Sequence, residues 1–141
     1  MTIDIRTFRE SDTDAVISVW EACELTRSWN DPVKDINRKQ IHNDGLFLVA
    51  EQNAQLIGSV MAGYEGHRGW INYLAVLPEY RKQGIGRALM LEAEARLLAR
   101  GCPKINLQIR TGNTGVIAFY ESIGYLDDKA TSLGKRLIPD E

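Results

Sequence analysis

A chain of 141 residues is long enough for one compact domain, since a chain of about this length buries ~70% of its unfolded surface. With 44% hydrophobic residues, 26% charged residues and a net charge of −2, it reads as an ordinary globular protein. The charge argues against a dedicated nucleic-acid binder, which needs a strong positive field to hold phosphates. No apolar run reaches the ~18 residues of a membrane span, and no basic-then-apolar leader follows Met1, so no membrane partner is expected. Cys23 and Cys102 stand far apart and read as reduced core thiols of a cytoplasmic protein. Those two cysteines and two scattered histidines offer no metal-binding spacing, so no metal is expected.

In chain order, Ile3, Ile5 and Phe8 alternate with polar residues as a first strand would. Ser11 or Asp12 caps a helix whose apolar face is Val16, Val19, Trp20 and Cys23. Asp31-Pro32 starts a second helix, with the aspartate as cap and the proline in the first turn. A meander of three strands follows: Leu46 to Glu51, Leu56 to Tyr64, and Trp70 to Val76, parted by turns at Gln52-Asn53-Ala54 and at Gly66-His67-Arg68-Gly69. Pro78 stops the third strand. Ile85, Leu89, Ala93, Leu97 and Leu98 form the stripe of a strong helix that Gly101 ends. A strand over Ile105 to Ile109, a helix opened by Asn113 and ended by Gly124, and a last edge segment from Tyr125-Leu126 with Leu133 to Ile138 complete the chain. The order β-α-α-β-β-β-α-β-α-β predicts an α/β layer sandwich around a mixed, mostly antiparallel sheet, as one domain over 1–141.

Chemistry concentrates where the strand ending at Val76 passes into the helix beginning near Gly84. Gly84 and Gly86 let backbone N–H groups approach a ligand, and a helix N-terminus favours an anion. Arg81, Lys82 and Arg87 add positive charge, so a diphosphate is the expected guest. A dinucleotide fingerprint would require glycine or alanine at position 89, where Leu89 stands, and no Gly-Lys-Ser or Gly-Lys-Thr follows as a P-loop demands.

The segment Arg81-Lys82-Gln83-Gly84-Ile85-Gly86 resembles the phosphate-binding motif of the GNAT family of N-acetyltransferases. Leu74-Ala75-Val76-Leu77-Pro78-Glu79-Tyr80 leads into it as in that family. Asn113, Ala118, Phe119-Tyr120-Glu121 and Gly124-Tyr125 resemble the family's second signature, so the likeness covers essentially the whole chain. Trp29-Asn30-Asp31-Pro32, the turn from Gly63 to Gly69 and Ser132 to Arg136 together resemble the YpeA group of bacterial members.

The resemblance implies acetyl-CoA as co-substrate and a primary amine as acceptor: a small metabolite, a lysine side chain or a protein N-terminus. It implies that the strand ending at Val76 and the strand of Ile105 to Ile109 splay apart, and that pantetheine lies in the gap on the backbone of Leu74 and Val76. A backbone N–H there would polarise the thioester carbonyl. Backbone groups of Gly84, Gly86, Arg87 and Ala88 would hold the pyrophosphate beside Arg81, Lys82 and Gln83, and Asn113 would contact the cofactor arm. Tyr120 would protonate the departing thiolate, whether or not its ring also packs in the core. The base is open. The family's strand carboxylate is missing from Trp70-Ile71-Asn72-Tyr73, which leaves Glu65 or His67 acting through water, or a water wire with no discrete base. Trp29, Asp31 and Tyr64 are candidates to line the acceptor pocket, although capping explains Asp31 equally well. A non-catalytic acyl-CoA sensor is the alternative reading, and edge strands leave a homodimer open.

Overall fold

The computed structural model describes residues 2–140. Met1 and Glu141, the two ends of the expected domain, lie outside them. The elements run β1 (Asp4–Thr7), α1 (Thr13–Ala22), α2 (Pro32–His42), β2 (Phe47–Gln52), β3 (Gln55–Tyr64), β4 (Gly69–Val76), α3 (Ile85–Ala99), β5 (Ile105–Leu107) and α4 (Thr114–Ser122). The sheet keeps sequence order, β1-β2-β3-β4-β5. Its first four strands pair antiparallel: β1 meets β2 after the chain has passed through α1 and α2, and β2, β3 and β4 follow one another through short turns. β5 joins β4 parallel after the α3 crossover, because a parallel neighbour cannot be reached by a hairpin.

The period-2 pleat sorts β2 onto two faces. Phe47 and Val49 pack with Val16, Val19, Trp20 and Ile36 of α1 and α2. Leu48 and Ala50 pack instead with Ile85, Leu89, Met90, Ala93 and Leu97 of α3. Each fully buried aliphatic side chain in these two layers is worth about 2 kcal/mol. Gly58 permits the α3 layer to sit close, since a Cβ there would lie 2.9 Å from the Ala75 carbonyl oxygen and 3.2 Å from Leu89 Cδ1. Leu98 departs from the expected stripe. It is 73% exposed, being about 100° round the helix from Leu97, and Met90 fills the core in its stead.

β4 is broken by a bulge. Gly58 pairs with Val76 and Ser59 with Ala75, but Met61 pairs with Asn72, so Tyr73 and Leu74 together oppose Val60. Tyr73 takes a left-handed φ of 53°, a conformation that costs a non-glycine residue about 1–3 kcal/mol. The surroundings hold it there. Its ring stacks on Trp20 with centroids 3.8 Å apart, and its hydroxyl donates to Asp35 Oδ2 at 2.6 Å.

Two expectations at the C-terminal end need correction. The strand expected over Ile105 to Ile109 stops at Leu107, and the segment of Tyr125-Leu126 with Leu133 to Ile138 forms no strand. Leu126, Leu133, Leu137 and Ile138 are all mostly exposed, so no apolar face is there to drive pairing. Side chains tie this segment down instead. Lys104 and Asn106 donate to Asp128, and Gln108 donates to Ser132. At its end the Asp140 carboxylate accepts from the Asp31 N–H at 2.7 Å and from Arg38 at 2.6 Å.

Candidate active site

β5 pairs with β4 only from Gly69↔Ile105 to Ile71↔Leu107. Beyond Ile71 the two strands part, and β4 keeps an unpaired edge up to Val76. Leu77 donates to the Ile57 carbonyl, so the neighbouring Gly58–Val76 pair is the non-bonded kind and the N–H and C=O of Val76 point away from β3, into the gap. The Val76 carbonyl accepts from Arg81 Nε at 3.1 Å and from Cys23 Sγ at 3.2 Å. That arginine contact folds the first residue of the phosphate motif back over the mouth of the gap.

The turn that follows has the form of an anion nest. Lys82 and Gly84 both lie in the left-handed region, at φ 64° and 81°, which turns successive N–H groups to one side. Gly84 is the N-cap of α3 and supplies no side-chain cap, so the first-turn donors of Ile85, Gly86 and Arg87 have no partner within the helix. Ala88 differs: its N–H donates to the Gly84 carbonyl at 2.9 Å. A Cβ added at Gly84 would meet nothing within 4 Å, so the space over the nest is open. A Cβ at Gly86 would lie 3.3 Å from Phe119 Cζ and 3.8 Å from Val76 Cγ2. The two glycines therefore do different work. Gly84 provides the turn, and Gly86 lets α3, α4 and the end of β4 converge. The open nest, the unpartnered donors and the exposed Arg81, Lys82 and Arg87 fit a diphosphate.

On α4, Asn113 caps the helix by accepting from the Val116 N–H at 3.3 Å. Tyr120 sits one residue beyond Phe119 and is 7% exposed, edge-on to Phe119 and Tyr125. Burial pushes its phenol up to about 12, so the hydroxyl stays protonated through neutral pH. Tyr120 also lines a cavity of about 1000 Å³ between β5, α3, α4 and the chain that follows.

The remaining candidates are dispersed. Trp29 is 46% exposed and carries the Arg110 guanidinium over its ring at 5.7 Å. Asp31 caps α2, accepting from the Val33 N–H at 2.9 Å. Tyr64 packs against the α3 layer and donates to the carbonyls of Gly66 and Gly101, so the structure does not bring it to Trp29 and Asp31. Glu65 accepts from the N–H groups of His67 and Arg68 within its own turn. That turn precedes Gly69 at the paired end of β4. Leu74 lies opposite Val60, four β3 positions from the Tyr64–Gly69 pair and ~13 Å along the strand, so neither Glu65 nor His67 is brought to the gap.

Residues missed in the sequence adjoin the bulge. Ser59 is fully buried on β3, accepts from Trp20 Nε1 at 2.9 Å and donates to the Tyr73 carbonyl at 2.9 Å. Asp35 accepts the Tyr73 hydroxyl, and burial followed by this carboxylate pushes that phenol upward. Among the described residues, no group of three or more His, Cys, Asp and Glu is placed to hold a metal.

The chain is similar to known proteins over nearly its full length. It is 52% identical over 138 residues to an acetyltransferase of Pectobacterium atrosepticum, covering 98% of each chain. Its fold is similar to that of the PaiA N-acetyltransferase of Thermoplasma acidophilum in complex with coenzyme A. There the TM-score is 0.76, the identity 22%, and the coverage 93% of this chain and 94% of that one. It is also similar to AAC(6')-Iy in complex with a CoA-based bisubstrate analogue, with TM-score 0.78, identity 15% and coverage of 98% and 100%. The sequence profile of the acetyltransferase (GNAT) family matches residues 11–125. With an open nest at the head of α3, a strand that leaves its neighbour, and these matches, the chain belongs to the acetyltransferase (GNAT) family.

Proposed function

We propose that this protein, as a single acetyltransferase domain, carries the acetyl group of acetyl-CoA to a primary amine by direct attack in a ternary complex. The observation that carries the reading is the union of an open anion nest at Lys82–Gly84 with the unpaired edge of β4 beyond Ile71. When bound, acetyl-CoA supplies an activated acyl group and a stable thiolate leaving group. The residues of this chain do the rest. Ile85, Gly86 and Arg87 offer N–H groups to the pyrophosphate, with Arg81, Lys82 and Gln83 around it. Leu74 and Val76 offer backbone groups to the pantetheine arm, with Asn113 nearby on α4. Tyr120, protonated at neutral pH, holds the proton that the departing sulfur needs.

The incoming amine enters from the α1 and α2 side, past Trp29 and Asp31. A lysine-like ammonium has a reference pKa of about 10.4 and must lose its proton before attack. Neither Glu65 nor His67 reaches the gap, which favours water over a direct carboxylate or imidazole base. The acceptor is a small amine, a lysine side chain or a protein N-terminus. No helix among the described residues is long and apolar enough to cross a membrane, and both cysteines are free thiols, which supports a cytoplasmic setting. A homodimer would form through an edge strand of the sheet.

Thermal unfolding with and without acetyl-CoA, with AMP as control, tests the first half of the reading. Ligand at about 100 times its dissociation constant stabilises the fold by ~2.7 kcal/mol, and a rise with acetyl-CoA alone is expected. Thiol release across a panel of amines tests the second half. Turnover that vanishes in Tyr120→Phe is expected, and a rise in stability with no turnover on any amine would favour a sensor.

A further inference from the structure

The geometry points to Ser59 as a positioning residue for acyl transfer: its hydroxyl, itself held by Trp20, fixes the peptide between Tyr73 and Leu74 so that the Leu74 N–H aims into the β4–β5 gap. This inference rests on the proposed site for acetyl-CoA and goes beyond it to say what holds the reacting backbone in place.

In the antiparallel ladder, Ser59 pairs with Ala75 and Met61 with Asn72, which leaves the peptide 73–74 outside the ladder. A peptide without a ladder partner is free to rotate unless something else takes its carbonyl. Ser59 Oγ does so, donating to the Tyr73 carbonyl at 2.9 Å. Because the peptide is planar and trans, its C=O and N–H point in opposite directions. A Tyr73 carbonyl drawn back to β3 therefore sends the Leu74 N–H outward, to the edge that β5 leaves open beyond Ile71.

The serine is in turn held. Trp20 Nε1 donates to its oxygen at 2.9 Å, and both residues are fully buried, so the hydroxyl proton has one direction left, to the Tyr73 carbonyl. Hydrogen bonds in such a chain polarise one another, which strengthens the last donor in the line. The Tyr73 side chain closes the clamp by stacking on the same tryptophan and donating to Asp35. A donor that is fixed before charge develops stabilises a tetrahedral oxyanion better than one that must reorient. Ser59 touches no substrate and acts through the peptide alone.

The test uses acetyl-CoA labelled with carbon-13 at its carbonyl, and CoA itself, on the full chain. In the wild type the bound carbonyl stretch falls below that of free acetyl-CoA, and acetyl-CoA binds more tightly than CoA. In Ser59→Ala the stretch returns towards the free value and the preference for acetyl-CoA drops about tenfold, while affinity for CoA stays within about twofold. Ser59→Ala leaves the Trp20 N–H without an acceptor. Ser59→Cys keeps a side chain of nearly the same shape with a weaker donor, and is the second variant should the first fail to melt cooperatively. An unshifted carbonyl in the wild type, or a shift and preference retained in both variants, overturns the inference while acetyl-CoA binding stands. If neither ligand binds the wild type, the proposed acetyl-CoA site falls and this inference falls with it.

Discussion

Gly84 offers a test of the phosphate nest that separates charge from shape. Its φ is 81°, and a Cβ placed there would meet nothing within 4 Å, so the fold feels only the left-handed conformation, about 1–2 kcal/mol for an ordinary residue. Asparagine and aspartate both tolerate that conformation and are nearly the same size. Gly84→Asn therefore reports the steric effect of a side chain over the nest, and Gly84→Asp adds one negative charge to it. A carboxylate ~4 Å from a phosphate charge is repelled by about 4 kcal/mol at an effective dielectric of ~20. Gly84 is exposed, so solvent and salt reduce this to about 2 kcal/mol, or roughly 30-fold in dissociation constant. Titration calorimetry with acetyl-CoA at low salt should show that ratio between the two variants, and added salt should narrow it. Equal affinities within about threefold at low salt would refute the placement of the pyrophosphate.

Gly86→Ala should weaken cofactor binding and destabilise the fold together, by about 1 kcal/mol, because its Cβ would press on Phe119 at 3.3 Å; circular-dichroism melts alongside calorimetry check this. Gly58→Ala, with a Cβ 2.9 Å from a backbone oxygen, should be worse for stability, by about 1–3 kcal/mol in urea unfolding. Tyr120→Phe should abolish amine-dependent thiol release while leaving the melting temperature near the wild type. Because burial pushes that phenol up to about 12, Tyr120 stays protonated below pH ~11, so an alkaline decline in wild-type turnover below that pH should come from another group and move when that group is replaced. Arg6 makes two hydrogen bonds to the Asp12 carboxylate and holds it below its usual range. A depressed carboxylate stabilises the fold above its unfolded pKa, ~4, and that stability is lost as pH falls through the folded value. Asp12→Asn should thus be less stable than wild type at pH 7, and the gap should close in acid melts.

The left-handed turn at Lys82–Gly84 and the helix start that follows it, the proposed phosphate nest, were legible because they are local. The glycines, cations and helix start are chain neighbours, and a helix N-terminus does the same electrostatics in any fold. The capping roles of Asp31 and Asn113 were legible for the same reason. The bulge clamp was not, since Trp20 and Ser59 are 39 residues apart and meet only through the register of β3 under α1. Nothing in Ser59's neighbours marks it among the apolar residues of its strand. From the sequence Tyr64 reads as a neighbour of Trp29 and Asp31, yet the pleat puts it on the α3 layer. The C-terminal strand failed for a further reason. The weak alternation of Leu133 to Ile138 had no buried face to serve, and the chain before it is held at Asp128 and Ser132 by Lys104, Asn106 and Gln108 instead.

The bulge in β4 also governs what changes of length this strand can tolerate. Ile71 faces the α3 layer while Tyr73, two residues on, faces the α1 layer, so the strand reverses its facing at that point. From there Leu74 and Val76 face α3 and Ala75 faces α1. Deleting one residue between Asn72 and Ala75 would restore an unbroken ladder with Val60, and the outward-turned peptide would disappear with no side chain of the phosphate turn altered. Inserting one would add a second free peptide and shift Gly86 away from Phe119. Within these four residues a single codon gained or lost would therefore retire the proposed site and leave the sheet standing.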